Sequence, residues 1–269
     1  MFVTRLISGI VLLAILITTI CLSGPVLFVF LLAISLVGMF ELYRATGIGK
    51  KPLNLLTAVS FLGAAVYYVF VYLHMQDYLL PVLAAAMIAD LFVYVFTYPR
   101  YHADEVMTAF FGIVYVAVCL SFIYQTRELP DGEYTVWLIV ICSWGCDTMA
   151  YVFGRLFGKH KMAPVLSPKK SVEGAVGGVA SAAVFGMIYA AVIGRFMHSG
   201  NSRIAVFALI GAVGALISMV GDLAASAIKR NHDIKDYGKL IPGHGGILDR
   251  FDSVIITAPV IYLLAYAFR

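Results

Sequence analysis

The sequence predicts an all-α, polytopic membrane protein, a bundle of about nine transmembrane helices. Three observations predict it. Hydrophobic residues make up 62% of the chain and charged residues only 13%, and the mean hydropathy is +0.94, values outside the range of ordinary soluble domains. The apolar residues gather in runs close to the roughly 20 residues that a helix needs to cross a bilayer. Those runs are continuously apolar and do not alternate in period two, which excludes barrel strands.

The segments fall at 5–22, 25–43, 53–73, 79–98, 106–125, 134–157, 172–194, 204–228 and 251–268. Arg5 ahead of the first run resembles the start of a cleaved leader, but the run is long and lacks an Ala-x-Ala site. Pro25 then opens a second run at once, so a retained helical hairpin is expected. The second segment must tolerate Glu41, which lies three residues before Arg44 near the helix end and reads as half of a surface ion pair. The fourth contains Asp90, a single carboxylate with no visible partner. The sixth holds Asp147, in Ser-Trp-Gly-Cys-Asp, and the eighth holds Asp222, in Val-Gly-Asp-Leu. A charged Asp at the centre of a bilayer costs roughly 2.5–3.5 kcal/mol, so both are expected to face a polar chamber. Cys21, Cys119, Cys142 and Cys146 all lie inside apolar runs without zinc-type spacing, and read as small buried thiols.

Basic residues set the expected orientation. With the N-terminus in the cytoplasm, Arg5, Arg44, Lys50, Lys51 and Arg100 face that side, as do the cations of the loops after segments six and eight. Of 19 Lys and Arg, only Arg127, Arg195, Arg203 and Arg269 fall on the other side, where the C-terminus then lies. Residues 1–130 read as a transmembrane scaffold and 131–269 as a catalytic region of the same membrane unit. No internal repeat or low-complexity linker is evident.

Two loops carry the chemistry. The first ends in Ser167-Pro168-Lys169-Lys170-Ser171 and opens into the seventh helix, with Glu173 in its first turn. Pro164 and Pro168 forbid a continuous helix there. Free N–H groups of a helix N-terminus beside lysines suit a phosphate, and an N-cap at Ser171 in a topologically basic loop accounts for the pattern equally well. The second loop lies between the last two segments. It places Lys229, Arg230, Lys235, Lys239 and Arg250 beside Asp236, Asp249 and Asp252. Asp249 and Asp252, three residues apart, share a face if the last helix starts near Leu248. Like charges that close invite a cation, and Mg²⁺ takes carboxylate oxygens together with substrate phosphates. Asp222 is the plausible third carboxylate. The alternative pairs Asp249 with Arg250 or Lys239 and leaves Asp252 as a cap. Gly243, Gly245 and Gly246 around His244 permit positive φ and a backbone nest for an anion, with His244 bonding phosphate or moving a proton. His74, His102, His160, His198 and His232 have no such company.

The run from Ser226 to Asp252, S-x-I-K-R-x₄-K-D-x-G-x₂-I-P-G-H-G-G-I-x-D-R-F-D, resembles the signature of the phosphatidate cytidylyltransferase (CDP-diacylglycerol synthase) family. Ser-Pro-Lys-Lys-Ser-x-Glu-Gly at 167–174 and the aspartate of Ser-Trp-x-x-Asp at Asp147 resemble it as well, so the likeness is specific over about 144–252. The resemblance implies cytidylyl transfer from CTP to phosphatidate, forming CDP-diacylglycerol and pyrophosphate for phospholipid synthesis. It implies Mg²⁺, with room for a second cation, on Asp222, Asp249 and Asp252. Lys229, Arg230, Lys235, Lys239, Ser167, Lys169 and Lys170 would handle phosphates. The expected partners are the two substrates, the bilayer and a second copy in a homodimer, with no nucleic acid. The expected setting is a bacterial inner membrane, with the site facing the cytoplasm. The competing readings are a CTP-dependent polyprenol kinase and, from another class, a cation-coupled secondary transporter.

Overall fold

The computed structural model describes residues 2–48, 53–197 and 203–268. Lys50, Lys51, His198 and Arg269 lie outside the described residues, as does the side chain of Arg5. The described residues are mainly helical, with one short hairpin and an irregular loop at 232–247. Its helices are α1 (Phe2–Leu22), α2 (Gly24–Thr46), α3 (Leu55–Tyr72), α4 (Leu79–Phe96), α5 (Ala103–Gly112), α6 (Cys119–Arg127), α7 (Gly132–Thr135), α8 (Trp137–Val140), α9 (Cys146–Phe157), α10 (Val172–Ile193), α11 (Ile204–Asn231) and α12 (Leu248–Ala267). The π-helical stretches Ile113–Val118 and Ile141–Gly145 join α5 to α6 and α8 to α9. Among the described residues, eight helical spans are long and apolar enough to cross a membrane, and Ile7–Leu22 adds a shorter apolar helix. The protein is an integral membrane protein of the all-α class.

Local chemistry accounts for the boundaries. Pro25 stands in the first turn of α2, where its missing N–H costs nothing. Gly47 ends that helix at φ 75°, with its N–H on the Tyr43 carbonyl. Asn54 and Thr57 cap α3 reciprocally. Ser171 caps α10, the second of the two readings of this loop, its side chain accepting the Gly174 N–H at 3.2 Å. The prolines do break the chain before it. They do so within an antiparallel hairpin of β1 (Lys161–Ala163) and β2 (Ser167–Ser171), the one pair of strands named among the described residues.

The chain divides into two compact units. The first comprises residues 1–124 and 232–250, so the second chemistry-bearing loop packs with the N-terminal helices. Its core is aromatic and hydroxyl-rich. Tyr43 donates to the Ala109 carbonyl at 2.6 Å, and Ser35 and Tyr68 share a hydrogen bond at 2.8 Å. Asp90 has a partner after all: Ser60 donates to its Oδ1 at 3.1 Å, and the side chain is fully buried.

The second unit comprises residues 125–231 and 251–269. It is built on close backbone approach, with α10 packed against α9 and α11. A Cβ at Gly178 would meet Cys146 Sγ at 3.0 Å, and one at Gly211 would meet the Ala182 carbonyl at 2.5 Å. Such contacts replace the hydrophobic drive that lipid removes. Cys142 and Cys146 are buried, as expected, whereas Cys21 is exposed on α1. Gly186 lies against the backbone of Phe207, with no room for a Cβ. Gly186→Leu is therefore expected to destabilise the second unit by about 1–3 kcal/mol, read as a lower thermal midpoint in detergent. Leu216→Ala, at an exposed position of α11, is expected to leave the midpoint nearly unchanged.

Candidate active site

The second unit brings three carboxylates and two ammonium groups together. Asp222 lies on α11, and Lys170, next to the end of β2, forms an ion pair with its Oδ2. Lys229, in the last turn of α11, places Nζ 4.0 Å from Oδ2 of Asp252 on α12. Asp252 is repelled by Asp222 and, more weakly, by Asp147. Ser253 donates through Oγ to Asp147 at 3.2 Å and through its backbone N–H to Asp252 at 2.9 Å. Backbone contact makes this gathering achievable, because a Cβ at Gly221 would stand 3.0 Å from the Asp252 carbonyl. The π-helical turn Ile141–Gly145 stands immediately before Cys146 and Asp147. Extra residues of this kind re-aim side chains and recur at functional sites.

Among the described residues, no three His, Cys, Asp or Glu side chains are arranged as a metal cage. Two carboxylates completed by substrate phosphates are nevertheless an ordinary Mg²⁺ environment. Asp222 and Asp252 fit that donor set: they are hard oxygen ligands, close to each other, and already drawing cations in the form of Lys170 and Lys229.

The first unit holds the signature loop. Pro242 and Gly243, the latter at φ 79°, make a tight turn closed by the His244 N–H on the Ile241 carbonyl at 2.9 Å. Gly245 follows at φ 88°, and its carbonyl accepts the Ile241 N–H. The turn presents His244, whose Nδ1 lies 2.7 Å from the Ser8 hydroxyl of α1. Ser8 donates its proton to the Pro242 carbonyl at 3.1 Å. Asp249 is only 6% exposed, and its Oδ2 accepts the N–H groups of Gly246 at 2.9 Å and Tyr237 at 2.8 Å.

The expected site residues therefore part into groups. Asp147, Asp222, Asp252, Lys170 and Lys229 come together in the second unit. Asp249, Gly245, Gly246 and His244 shape the loop in the first unit, and Asp249 engages backbone N–H groups in addition to any ionic partner. Lys235, Asp236 and Lys239 are exposed on that loop, Arg230 is exposed at the end of α11, and Arg250 is half-buried. Ser167 is half-buried and Lys169 exposed on β2. Glu173 is engaged locally, accepting the Lys159 and His160 N–H groups at 3.0 and 3.2 Å and meeting His160 Nδ1 at 2.6 Å. His160, given no role from sequence, thus closes the base of the hairpin.

A family profile described as "Cytidylyltransferase family" matches residues 3–268. The chain belongs to that family. Among similar proteins, one from Staphylococcus haemolyticus is 37% identical over 153 residues, and one from Staphylococcus saprophyticus is 39% identical over 153 residues. One from Staphylococcus aureus is 35% identical over 155 residues. All three are named phosphatidate cytidylyltransferase, and each match covers 57% of this chain and 56% of the relative. The chain thus aligns with about half the length of the curated relatives it matches.

One expectation is corrected. Glu41 is not half of a surface ion pair: it is 3% exposed and accepts the Leu248 N–H at 2.9 Å. Arg44 turns instead to the Tyr237 carbonyl, donating through Nη2 at 2.6 Å. The signal available in the sequence was the carboxylate itself, placed in an apolar segment near a helix C-terminus, where the dipole disfavours it. At the head of α10, the Ser171 hydroxyl is enclosed by glycines: a Cβ at Gly154 or Gly174 would stand 3.0 Å from it. Ser171→Ala is expected to cost about 1 kcal/mol through the lost cap, and Ser171→Val more through collision, both read as thermal midpoints.

Proposed function

We propose that the protein is a phosphatidate cytidylyltransferase, joining CTP and phosphatidate into CDP-diacylglycerol with release of pyrophosphate. One observation carries this reading: in a chain of the Cytidylyltransferase family, β2 and the helices α11 and α12 assemble Asp222, Asp252, Lys170 and Lys229 into one charged centre. Ammonium groups suit the phosphates of both substrates, and paired carboxylates suit a divalent cation. The names of the staphylococcal relatives supply the lipid.

In the proposed reaction an oxygen of the phosphatidate phosphate attacks the α-phosphorus of CTP, a new P–O–P bond forms, and the α–β bridge breaks to release pyrophosphate. A phosphomonoester is nucleophilic at neutral pH, so no strong base is required. Catalysis then rests on positioning and on stabilising the charge that moves onto the leaving group. Lys170 and Lys229 exchange their carboxylate partners for phosphate oxygens. Arg230, Lys235, Lys239, Lys169 and Ser167 are assigned to phosphate by chemistry and resemblance, whereas Gly245 and Gly246 serve the turn that carries His244, the Gly246 N–H being taken by Asp249. Asp222 and Asp252 would hold Mg²⁺, which would supply charge neutralisation along the nucleotide phosphates; Asp249 fixes the loop through the N–H groups of Tyr237 and Gly246. The distribution of Lys and Arg supports a site on the cytoplasmic side, which we assign to a bacterial inner membrane.

CTP labelled in the cytosine and, separately, in the γ-phosphate tests the reading with purified protein and phosphatidate. Cytosine label in the lipid, with one pyrophosphate released per transfer, is expected. Lipid carrying γ-phosphate alone would indicate a kinase and overturn it. Chelation with EDTA is expected to stop turnover and added Mg²⁺ to restore it. Asp252→Asn is expected to lower kcat by about 10²-fold or more while the protein still inserts and folds. Near-normal turnover at ordinary Mg²⁺ concentration would remove Asp252 from the cation site.

A further inference from the structure

Glu41 occupies a position that sequence and fold both disfavour. It lies in an apolar span, near the C-terminal end of α2, where the helix dipole repels an anion, and it is almost fully buried. A carboxylate persists in such a place when something distant requires it.

What requires it is the signature loop, 207 residues away by the bond it makes. Glu41 Oε2 accepts the N–H of Leu248, the first residue of α12. The Ile247 N–H also points at this carboxylate. The first N–H groups of a helix have no partner within it, and its N-terminus favours an anion. Glu41 thus caps α12 from another helix. Its carboxylate also fills the space beside Gly238 and Gly246, where a Cβ on either glycine would collide with Oε1. Neither glycine has a positive φ of the kind that demands glycine. At these two signature positions the missing side chain makes room for Glu41.

The same stretch of α2 supplies Arg44, which holds the Tyr237 carbonyl, while the Tyr237 N–H goes to Asp249. Residues 237–238 and 246–249 are the two ends of the segment whose apex is the Gly243–Gly245 turn. Both ends are tied at one place, by Glu41 and Arg44 from α2 and by Asp249 from within. The turn bearing His244 has its geometry set from this base.

We propose that Glu41 is a positioning residue for cytidylyl transfer, its buried carboxylate holding the loop from Tyr237 to Leu248 so that the His244 turn and the start of α12 keep their reactive geometry. This rests on the function proposed above. Glu41 acts through the loop backbone and need not touch either substrate.

The test compares wild-type protein with Glu41→Gln and Glu41→Asp, purified in lipid nanodiscs. Glu41→Gln keeps the size but turns an amide N–H₂ toward backbone donors. It is expected to lower kcat by about 10²-fold with KM for CTP and for phosphatidate changed less than about threefold. Glu41→Asp keeps the charge on a shorter stem and is expected to recover at least about tenfold of the loss. Gly246→Ala is expected to be damaging alone and less damaging in a Glu41→Ser background, where the colliding carboxylate is absent. Amide hydrogen exchange supplies a readout independent of turnover: in Glu41→Gln, residues 237–248 should exchange at least about tenfold faster while 172–193 keep their protection.

A Glu41→Gln protein with kcat within twofold of wild type overturns the proposal. So does loss of protection throughout the chain, or an Asp variant no better than Gln, since either marks Glu41 as merely structural. If wild-type protein transfers no cytidylyl group, the functional reading fails; unchanged exchange at 237–248 in Glu41→Gln then overturns the loop-holding role as well, and selective acceleration there supports it.

Discussion

A carboxylate inside an apolar helix must find its partner within the protein, because lipid offers neither hydrogen bonds nor counter-ions. The chain meets this constraint in three ways, and the partner decides what each carboxylate can do. Asp90 receives a hydroxyl from Ser60 of the adjacent α3, a bond between two packed helices. Glu41 receives backbone N–H from the start of α12, which ties helix to loop. Asp222 and Asp252 meet ammonium groups of Lys170 and Lys229. A lysine rides on a flexible four-carbon stem and can leave one anion for another. Hydroxyl and backbone partners fix a structure; ammonium partners leave it able to react.

Holding the reactive carboxylates in place falls to small residues. Gly221 lets α11 approach the backbone of α12 beside Asp252, and Gly178 lets α10 approach α9 one turn from Asp147. A larger residue at either place would separate the helices and the charges they carry. Membrane bundles associate through such contacts generally. Here the close approaches lie next to the charged centre, so packing and chemistry constrain the same positions.

Much of this was legible in the sequence. Continuous apolar runs gave the helical class, and the prolines at 164 and 168 marked the interruption before α10. Ser171 announced its cap, and the start of α12 at Leu248 matched the spacing that puts Asp249 and Asp252 on one helix. The hairpin was not legible, because Ser-Pro-Lys-Lys-Ser has no alternation of apolar and polar residues to signal a strand. Nor were the π-helical turns, which change hydrogen bonding without changing composition. Glu41 was misread for an instructive reason. Arg44 one turn away offered a sufficient local explanation, whereas the true partner is remote in sequence. Motif spacing reports neighbours along one helix and is silent about a side chain whose work is done on another segment.

On the proposed reading, the pairing of carboxylates with lysines solves a problem specific to a site that must accept anions beside a membrane. Unpartnered lysines there would lose hydration without compensation, and unpartnered carboxylates would repel both substrates. Paired, the four side chains present little net charge before substrate arrives. Phosphate oxygens would then take the ammonium groups, and the carboxylates so released would be able to hold a divalent cation. Every charge exchanges one opposite partner for another, and none passes through a desolvated, unpaired state. The barrier to loading the site is thereby lowered by the same ion pairs that make a buried charged centre tolerable when no substrate is bound.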